Sequence, residues 1–255
     1  MCLILFAIDL SDEFPFILAA NRDEFYARPT QPMGFWPDTP DLLAGKDLEA
    51  GGTWFGVSTS GRFAALTNYR DLSQIKSNAP SRGELIPQVL SFKGPVEDYL
   101  SSLKKNSDRY SGFNLLAGET DGPVFCFSNQ SKGFVEVPPG IHGLSNHLLD
   151  TPWPKIKKGR KEFERILTAD PMDNKGIFAM LADKNKPKDD QLPDTGVGLE
   201  WERILSPLFI QSDTYGTRSS TLMRINCDYE IEIIERTHVI GSENGTEDRI
   251  FALAP

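Results

Sequence analysis

Cys2 follows Met1 directly, and its position gives it more chemical potential than any other residue of the chain. Cysteine is small, so we expect Met1 to be removed and the mature chain to begin with a thiol and a free α-amine on one residue. An α-amine has a pKa of about 7.7–8.0, so a useful fraction is neutral near pH 7 and can accept the thiol proton. An N-terminal amine that activates its own side chain is a known form of nucleophilic catalysis. The competing interpretation is a small buried side chain at the start of a strand.

A run of four polar residues, Asn21-Arg22-Asp23-Glu24, follows the apolar segment 16–20. If 2–9 and 14–20 form a hairpin, this run lies beside Cys2. Arg22 could then stabilise a thiolate, and Asp23 could hold the α-amine. Successive side chains of a strand point to opposite faces, so a bulge or turn must bring both to Cys2, or only one of them faces it.

Three more polar residues lie at the ends of apolar segments. Asn68 is suited to an oxyanion hole, because an amide donates a hydrogen bond without a change of charge; such a donor contributes about 10²–10³ in rate. Asn146 and Arg218 also flank apolar runs. Each of these residues, taken alone, is more often a turn or capping residue than a catalytic group.

The segments that would position these residues are mostly strands. Apolar runs bounded by turn residues predict strands at 2–9, 14–20, 53–58, 62–68, 112–118, 123–128, 133–137, 140–145, 217–226, 229–236 and 248–253. Helices are predicted from 81 to about 90, then to about 105, and at 155–169 and 174–183, with a polar loop or lid at 183–196. This order excludes regular strand–helix alternation and predicts two packed antiparallel sheets with helices outside.

Composition narrows the functional classes. The 255 residues carry a formal net charge of −9, which disfavours nucleic acid and anionic membrane as partners. The three cysteines favour a reducing compartment over a disulfide scaffold.

No basic residue precedes the first apolar run, and no run approaches the about 20 residues of a membrane span, so we expect a cytoplasmic protein. The spacings of the histidines and cysteines do not match a metal site, and the sequence contains no phosphate-binding glycine loop of the usual kinds. We therefore expect neither a metal ion nor a cofactor.

Taken together, the motifs resemble the NRDE family, also called the transport and Golgi organisation protein 2 family. The resemblance depends on Met1-Cys2, Asn21-Arg22-Asp23-Glu24, Gly51-Gly52-Thr53-Trp54-Phe55-Gly56, Thr67-Asn68-Tyr69-Arg70, Gly143-Leu144-Ser145-Asn146 and Tyr215-Gly216-Thr217-Arg218. These motifs span most of the chain in family order, which implies one domain over residues 1–255.

That family in turn resembles N-terminal nucleophile hydrolases of the cholylglycine hydrolase and penicillin V acylase type. This second resemblance implies an α+β fold, a four-layer αββα sandwich of two antiparallel sheets, and cleavage of non-peptide amide bonds. It also implies a catalytic set in which Cys2 is the nucleophile and the supporting residues are Arg22, Asp23, Asn68, Asn146 and Arg218. In the acylases two residues separate the Arg from the Asp, whereas here they are adjacent, so Asn21 or Glu24 are alternatives.

Two functions of different classes follow from the sequence. The first is an N-terminal cysteine amidohydrolase that cleaves a small acyl amide or thioester. The alternative is a non-catalytic protein that handles haem or lipid in trafficking, with the same fold. A hydrolase fold with an inactive site is a third outcome.

Overall fold

Thirteen strands and five α-helices make up the described part of the chain. The computed structural model describes residues 2–239, 241 and 245–255, apart from the side chains of Cys2 and Gln74. The strands are β1 (Cys2–Ile8), β2 (Phe16–Phe25), β3 (Thr30–Trp36), β4 (Thr39–Asp47), β5 (Phe55–Ser58), β6 (Arg62–Asn68), β7 (Phe113–Glu119), β8 (Val124–Ser128), β9 (Gly133–Glu136), β10 (Gly140–Leu144), β11 (Tyr215–Ile225), β12 (Ile231–His238) and β13 (Thr246–Leu253). The helices are α1 (Leu85–Ser91), α2 (Val96–Lys104), α3 (Pro154–Ala169), α4 (Asn174–Leu181) and α5 (Leu199–Leu205).

The strands form two antiparallel sheets. The first sheet has six strands in the order β10-β1-β2-β11-β12-β13, and the second has seven in the order β3-β4-β5-β6-β7-β8-β9. Consecutive strands of the second sheet are neighbours, whereas the first sheet joins strands from both ends of the chain. The N-terminal strand is therefore an internal strand of a sheet, between β10 and β2.

Both faces of the first sheet are buried, and the alternation along β1 shows why. Ile4 and Phe6 point into the core between the two sheets, whereas Leu3 and Leu5 point into a second core on the outer face. A strand buried on both faces has a continuous apolar sequence rather than an alternating one. This accounts for the unbroken apolar run from residue 3 to residue 8.

Helices cover the outer face of each sheet. α1 packs on β5 and β6, and α2 packs on β7, β8 and β9; α3 packs on β10 and β1, and α4 packs on β2 and β11. The layers are therefore helix, sheet, sheet and helix. The predicted α+β class and the αββα order of two antiparallel sheets are confirmed.

Two strands and one helix were absent from the sequence prediction. β3 and β4 occupy 30–47, where Pro32 and Gly34 interrupt any strand-like pattern. β3 is an edge strand with shifts in its pairing to β4, and an edge strand tolerates a proline that lacks an N–H. The helix α5 was also missed because its seven residues are too few to show a periodic pattern.

The predicted N-terminal hairpin is confirmed, with one change at its end. β2 does not stop at residue 20 but continues to Phe25 through the polar run Asn21–Glu24. That run is therefore part of a paired strand. Within the described ranges, no helix combines the length and the apolar character that a membrane crossing requires.

We expect Phe63→Ala to destabilise the protein strongly. Phe63 of the second sheet is fully buried and stacks on Phe16 of the first, with ring centroids 4.6 Å apart. Its loss leaves a cavity between the sheets, and the free energy of unfolding should fall by about 3–5 kcal/mol. Urea denaturation measures this change. Ile75→Ala is the control, since Ile75 is 68% exposed and should change stability by about 0.5 kcal/mol or less. Equal effects would contradict the packing described for Phe63.

Candidate active site

The register of the first hairpin places the backbone of Cys2 directly opposite Arg22. The pairing between β1 and β2 is regular over all seven residues of β1, without a bulge. On the other side of β2, Arg22 pairs with Ser219 of β11. The start of β1, the end of β2 and the start of β11 therefore lie together at one end of the first sheet. Met1 and the Cys2 side chain lie outside the described residues.

Asn21 and Arg22 point to opposite faces of the sheet. The Asn21 Nδ2 donates hydrogen bonds to the carbonyl oxygens of Leu181 and Leu208, at 2.9 and 2.8 Å, in the outer helical layer. The Arg22 guanidinium lies between the sheets, 4.0 Å from the ring centroid of Trp54. Alternation along β2 therefore separates the two residues, and only Arg22 shares the inter-sheet side.

Asp23 is fully buried and is held by a neighbouring strand. Thr217 Oγ1 donates to Asp23 Oδ1 at 2.7 Å, and the hydroxyl of Tyr215 donates to the Asp23 carbonyl oxygen at 3.0 Å. Burial raises the pKa of the Asp23 carboxyl, because an anion is poorly solvated there, and the cations of Lys155 and Arg22 oppose this rise. Asp23 is thus a carboxyl whose charge depends on nearby cations.

A β-bulge does exist at this place, but in β11 rather than in β2. The register shifts between Thr217 and Ser219, which leaves Arg218 as the extra residue. Arg218 Nη1 donates to the carbonyl oxygens of Phe25 and Arg28, at 2.9 and 3.0 Å. Arg218 therefore holds the chain that leaves β2, at the edge of the site.

Trp54 brings the predicted turn Gly51-Gly52-Thr53-Trp54 to Arg22. A Cβ on Gly45 would lie 2.3 Å from the Trp54 ring, so any side chain at position 45 of β4 would collide with the indole. A Cβ on Gly52 would lie 2.4 Å from the carbonyl carbon of Gly83, so the two backbones touch there. Gly45 of β4 and Gly52 of this motif thus allow close packing around the tryptophan that contacts Arg22.

A cavity of about 370 Å³ opens next to Arg22 and Trp54. Its lining includes three of the predicted site residues, Arg22, Asp23 and Asn68, together with Glu24, Trp54 and Arg82. The side-chain amide of Asn68 makes no hydrogen bond to the residues that the structure describes, so it can donate to a ligand in the cavity. Asn146 and Arg218 do not line this cavity.

Asn146 instead joins the two sheets. It is fully buried, its Nδ2 donates to the Asn68 carbonyl oxygen at 3.0 Å, and its own carbonyl oxygen accepts from the Arg70 N–H at 2.7 Å. These two hydrogen bonds fix the end of β6 against Asn146, which lies two residues after the end of β10. Asn146 can therefore set the position of Asn68 without contacting the cavity.

Arg82 is a cavity residue that sequence reasoning missed. It lies in a short helical turn before α1, and its Nη1 donates to the carbonyl oxygen of Gly112 at 3.0 Å. Burial lowers the pKa of Arg82, and the negative charge of Glu24 opposes this lowering. The sequence showed Ser81-Arg82-Gly83-Glu84 only as the start of a helix, and nothing in its spacing linked Arg82 to Cys2.

Comparison with known proteins finds one family that matches most of the chain. Residues 1–239 match the family model described as Transport and Golgi organisation 2. The chain belongs to this family. It is 34% identical to the Transport and Golgi organization protein 2 homolog of Bos taurus, over 95% of each chain, and 34% identical to the human homolog, over 93% of each chain.

Among solved structures, comparison gives partial overlaps with this member of the Transport and Golgi organisation 2 family. One of them is with the C2A mutant of the conjugated bile acid hydrolase from Clostridium perfringens, which is 11% identical with a TM-score of 0.47, over 100% of this chain and 92% of that one. An overlap at this level does not carry an activity from one protein to the other.

We expect Asn21→Asp to destabilise the protein, although the two side chains have nearly the same shape. The substitution replaces the buried Nδ2 donor with an acceptor that faces two carbonyl oxygens. The free energy of unfolding should fall by about 3 kcal/mol or more. Urea denaturation provides the measurement, with Asn106→Asp, at an exposed position without a side-chain cap bond, as the control. Similar stability of the two variants would contradict the role given to Asn21.

We expect stability to decrease between about pH 6.5 and about pH 4 partly through His238. Burial lowers the pKa of His238 to about 4. The His238 Nε2 is hydrogen-bonded to the Ser220 hydroxyl, which in turn donates to the Asn21 Oδ1. The unfolded chain takes up this proton at about pH 6.5 and the folded chain only near pH 4, so stability present above 6.5 is lost as pH falls.

The measurement compares wild type with His238→Gln, which keeps a polar atom near the Nε2 position. Thermal midpoints recorded from pH 7 to pH 4 should fall less steeply in the variant. Carboxyl groups titrate in both proteins, so the difference between the two curves isolates His238. Parallel curves would contradict the assigned pKa.

Proposed function

We propose that this protein is an N-terminal cysteine hydrolase that cleaves the acyl amide or thioester bond of a small molecule. The observation that carries the proposal is the register of the first hairpin, which sets the backbone of Cys2 opposite Arg22. Arg22 in turn lines a cavity of about 370 Å³ together with Asp23 and Asn68. A nucleophile, a cation, a carboxyl and an amide donor are the parts that an N-terminal cysteine hydrolase needs.

The proposed reaction begins after removal of Met1. The neutral α-amine of Cys2 accepts the thiol proton, directly or through water, and the thiolate attacks the acyl carbon. The C–N or C–S bond of the substrate then breaks, and the leaving group takes the proton from the α-ammonium. The acyl group remains on Cys2 as a thioester, which water hydrolyses with the amine again as the base.

Arg22 and Asp23 have complementary parts in this scheme. The Arg22 guanidinium is almost fully buried and has the Trp54 ring at 4.0 Å on one side, which fixes a cation opposite Cys2 and would lower the thiol pKa. The Asp23 carboxyl, whose pKa burial raises, would gain charge stabilisation from an α-ammonium nearby. Its Thr217 hydrogen bond fixes the orientation of the carboxyl.

Asn68 would donate to the oxyanion of the tetrahedral intermediate, together with a backbone N–H. Its side-chain amide lines the cavity and makes no hydrogen bond to the described residues, which leaves the donor available. Asn146 and Arg218 act as positioning residues in this scheme. The first fixes the Asn68 backbone, and the second fixes the chain after β2.

The other two cysteines provide internal comparisons. Burial raises the pKa of the Cys126 thiol to about 12, so it is protonated near neutral pH and has little nucleophilic character. Cys227 is a free and exposed thiol outside the cavity. A thiol reagent of low selectivity would modify Cys227, whereas an acyl-directed electrophile should require the Cys2 site.

The test combines intact mass with covalent labelling. Purified wild type should have a mass without Met1, and an acyl-directed electrophile such as an acyl β-lactone should add one equivalent at Cys2. Cys2→Ser should lose at least about 90% of the labelling and of any acyl-amide or acyl-thioester hydrolysis, because a serine hydroxyl is a much weaker nucleophile near pH 7.

Cys227→Ser is the matched control and should label at the wild-type rate, because it removes the same atom at an exposed position. Retention of Met1 would exclude the amine as the base. Equal labelling of wild type and Cys2→Ser would remove Cys2 from the chemistry.

A further inference from the structure

A second cavity, of about 600 Å³, lies between helix α3 and the segment 185–191. None of its lining residues lines the cavity beside Arg22. Five lysines line it: Lys155, Lys157, Lys158, Lys161 and Lys186. The described lining contains no carboxylate, in a chain whose formal net charge is −9. We call these residues and the space between them the lysine cleft.

Only some of the positive charge in the lysine cleft is compensated. Lys158 forms an ion pair with Asp183, and the buried Lys155 donates to the carbonyl oxygen of Leu205 at 3.2 Å. Lys157, Lys161 and Lys186 form no ion pair with any residue that the structure describes. Three exposed ammonium groups are therefore left to face the same space.

The lysines of α3 are spaced so that their positive charges repel one another. Lys157 and Lys161 are four residues apart and Lys158 and Lys161 are three apart, so their side chains are neighbours on α3. Like charges at these spacings destabilise a helix. Lys186 comes from a different segment and adds its charge from across the cleft. A bound anion would relieve repulsion within the helix and across the cleft together.

The rest of the lining suits a small molecule that has both phosphate groups and an uncharged part. Gln191 and Ser206 provide neutral polar groups, and Pro152, Pro154 and Leu208 form apolar walls. Lysine binds phosphate as a point charge, without the flat bidentate geometry that arginine offers to a carboxylate. Several ammonium groups around one concavity match several phosphate charges close together.

We propose that the lysine cleft binds a ligand that carries two or more phosphate groups. The same chemistry occurs in soluble polyphosphate compounds and in the headgroup of a phosphorylated inositol lipid. The site is separate from the proposed hydrolase cavity, so it does not depend on the nucleophile. Lys155 also contributes to the electrostatics of Asp23, and for that reason it is left unchanged in the test.

The test uses inorganic tripolyphosphate as the soluble probe and titration calorimetry as the readout. Wild type should bind it with an affinity that falls as salt rises, because the contacts are between charges. The triple variant Lys157→Gln, Lys161→Gln and Lys186→Gln should bind at least about tenfold more weakly, which corresponds to about 1.4 kcal/mol. All three side chains are exposed, so we expect the variant to fold.

The matched control is Lys93→Gln, Lys105→Gln and Lys132→Gln. These lysines are exposed and lie on the part of the chain that forms and covers the second sheet, outside the lysine cleft. Both triple variants lose the same charge, so any general effect of net charge is equal in the two. The control should bind tripolyphosphate within about twofold of wild type.

A second arm distinguishes the two sources of phosphate. Vesicles of phosphatidylcholine with about 5% phosphatidylinositol bisphosphate are sedimented with each protein, with and without tripolyphosphate as competitor. Retention on vesicles that is lost in the cleft variant alone assigns the headgroup as the source, and binding of tripolyphosphate alone assigns a soluble ligand. Absence of binding in both arms, or equal loss in the cleft and control variants, overturns the proposal.

Discussion

Strand β2 is hydrogen-bonded on both sides, to β1 and to β11, and most of the site depends on this constraint. A strand inside a sheet must alternate its side chains between two faces, and here both faces are buried. Arg22 is thereby directed to Trp54 between the sheets, and Asn21 to backbone carbonyls in the helical layer. A slip of one residue would exchange the two environments and leave a guanidinium among helices.

The candidate active site lies at one open end of the sandwich, where elements of both sheets meet. The first sheet contributes the start of β1 and the end of β2, and the second contributes Trp54 and the end of β6. Asn146 ties these two groups through its bond to the Asn68 carbonyl oxygen. The polar residues around the cavity are thus of two kinds, those that face it and those that hold the strand ends in place.

Electrostatics gives the two cavities different characters despite the acidic composition. The cavity beside Arg22 mixes cations with carboxyl groups, and Arg28 there is bound to Asp47 and Glu49. The lysine cleft has an excess of cations along its described lining, and Lys158 is paired with Asp183. A mixed lining can move protons and orient a substrate, whereas a lining of one sign attracts a ligand of the other.

The sequence by itself determined the family, the class of fold and the positions of the polar motifs, because these depend on local patterns. Apolar runs bounded by turn residues indicated most strands, and the order of strands and helices indicated two antiparallel sheets. It missed β3 and β4, because Pro32 and Gly34 disrupt the local pattern, whereas pairing at the sheet edge still forms the strands. Sequence patterns record local preference, and pairing between distant strands can override it.

Only the tertiary structure decided which side chains meet. The sequence showed Asn21, Arg22, Asp23 and Glu24 as one cluster, and the paired strand divided them between two faces. It suggested a bulge near Arg22. The strand pairing instead places the bulge on β11, directly after Thr217, which lies 194 residues from its hydrogen-bond partner Asp23. Arg82 had no signal in the sequence, since its neighbours come from segments far apart in the chain. The lysines of α3 indicated only a basic, solvated helix face, and the structure brings Lys186 to that face. Local order follows from the spacing of residues, but a site forms where distant segments pack together.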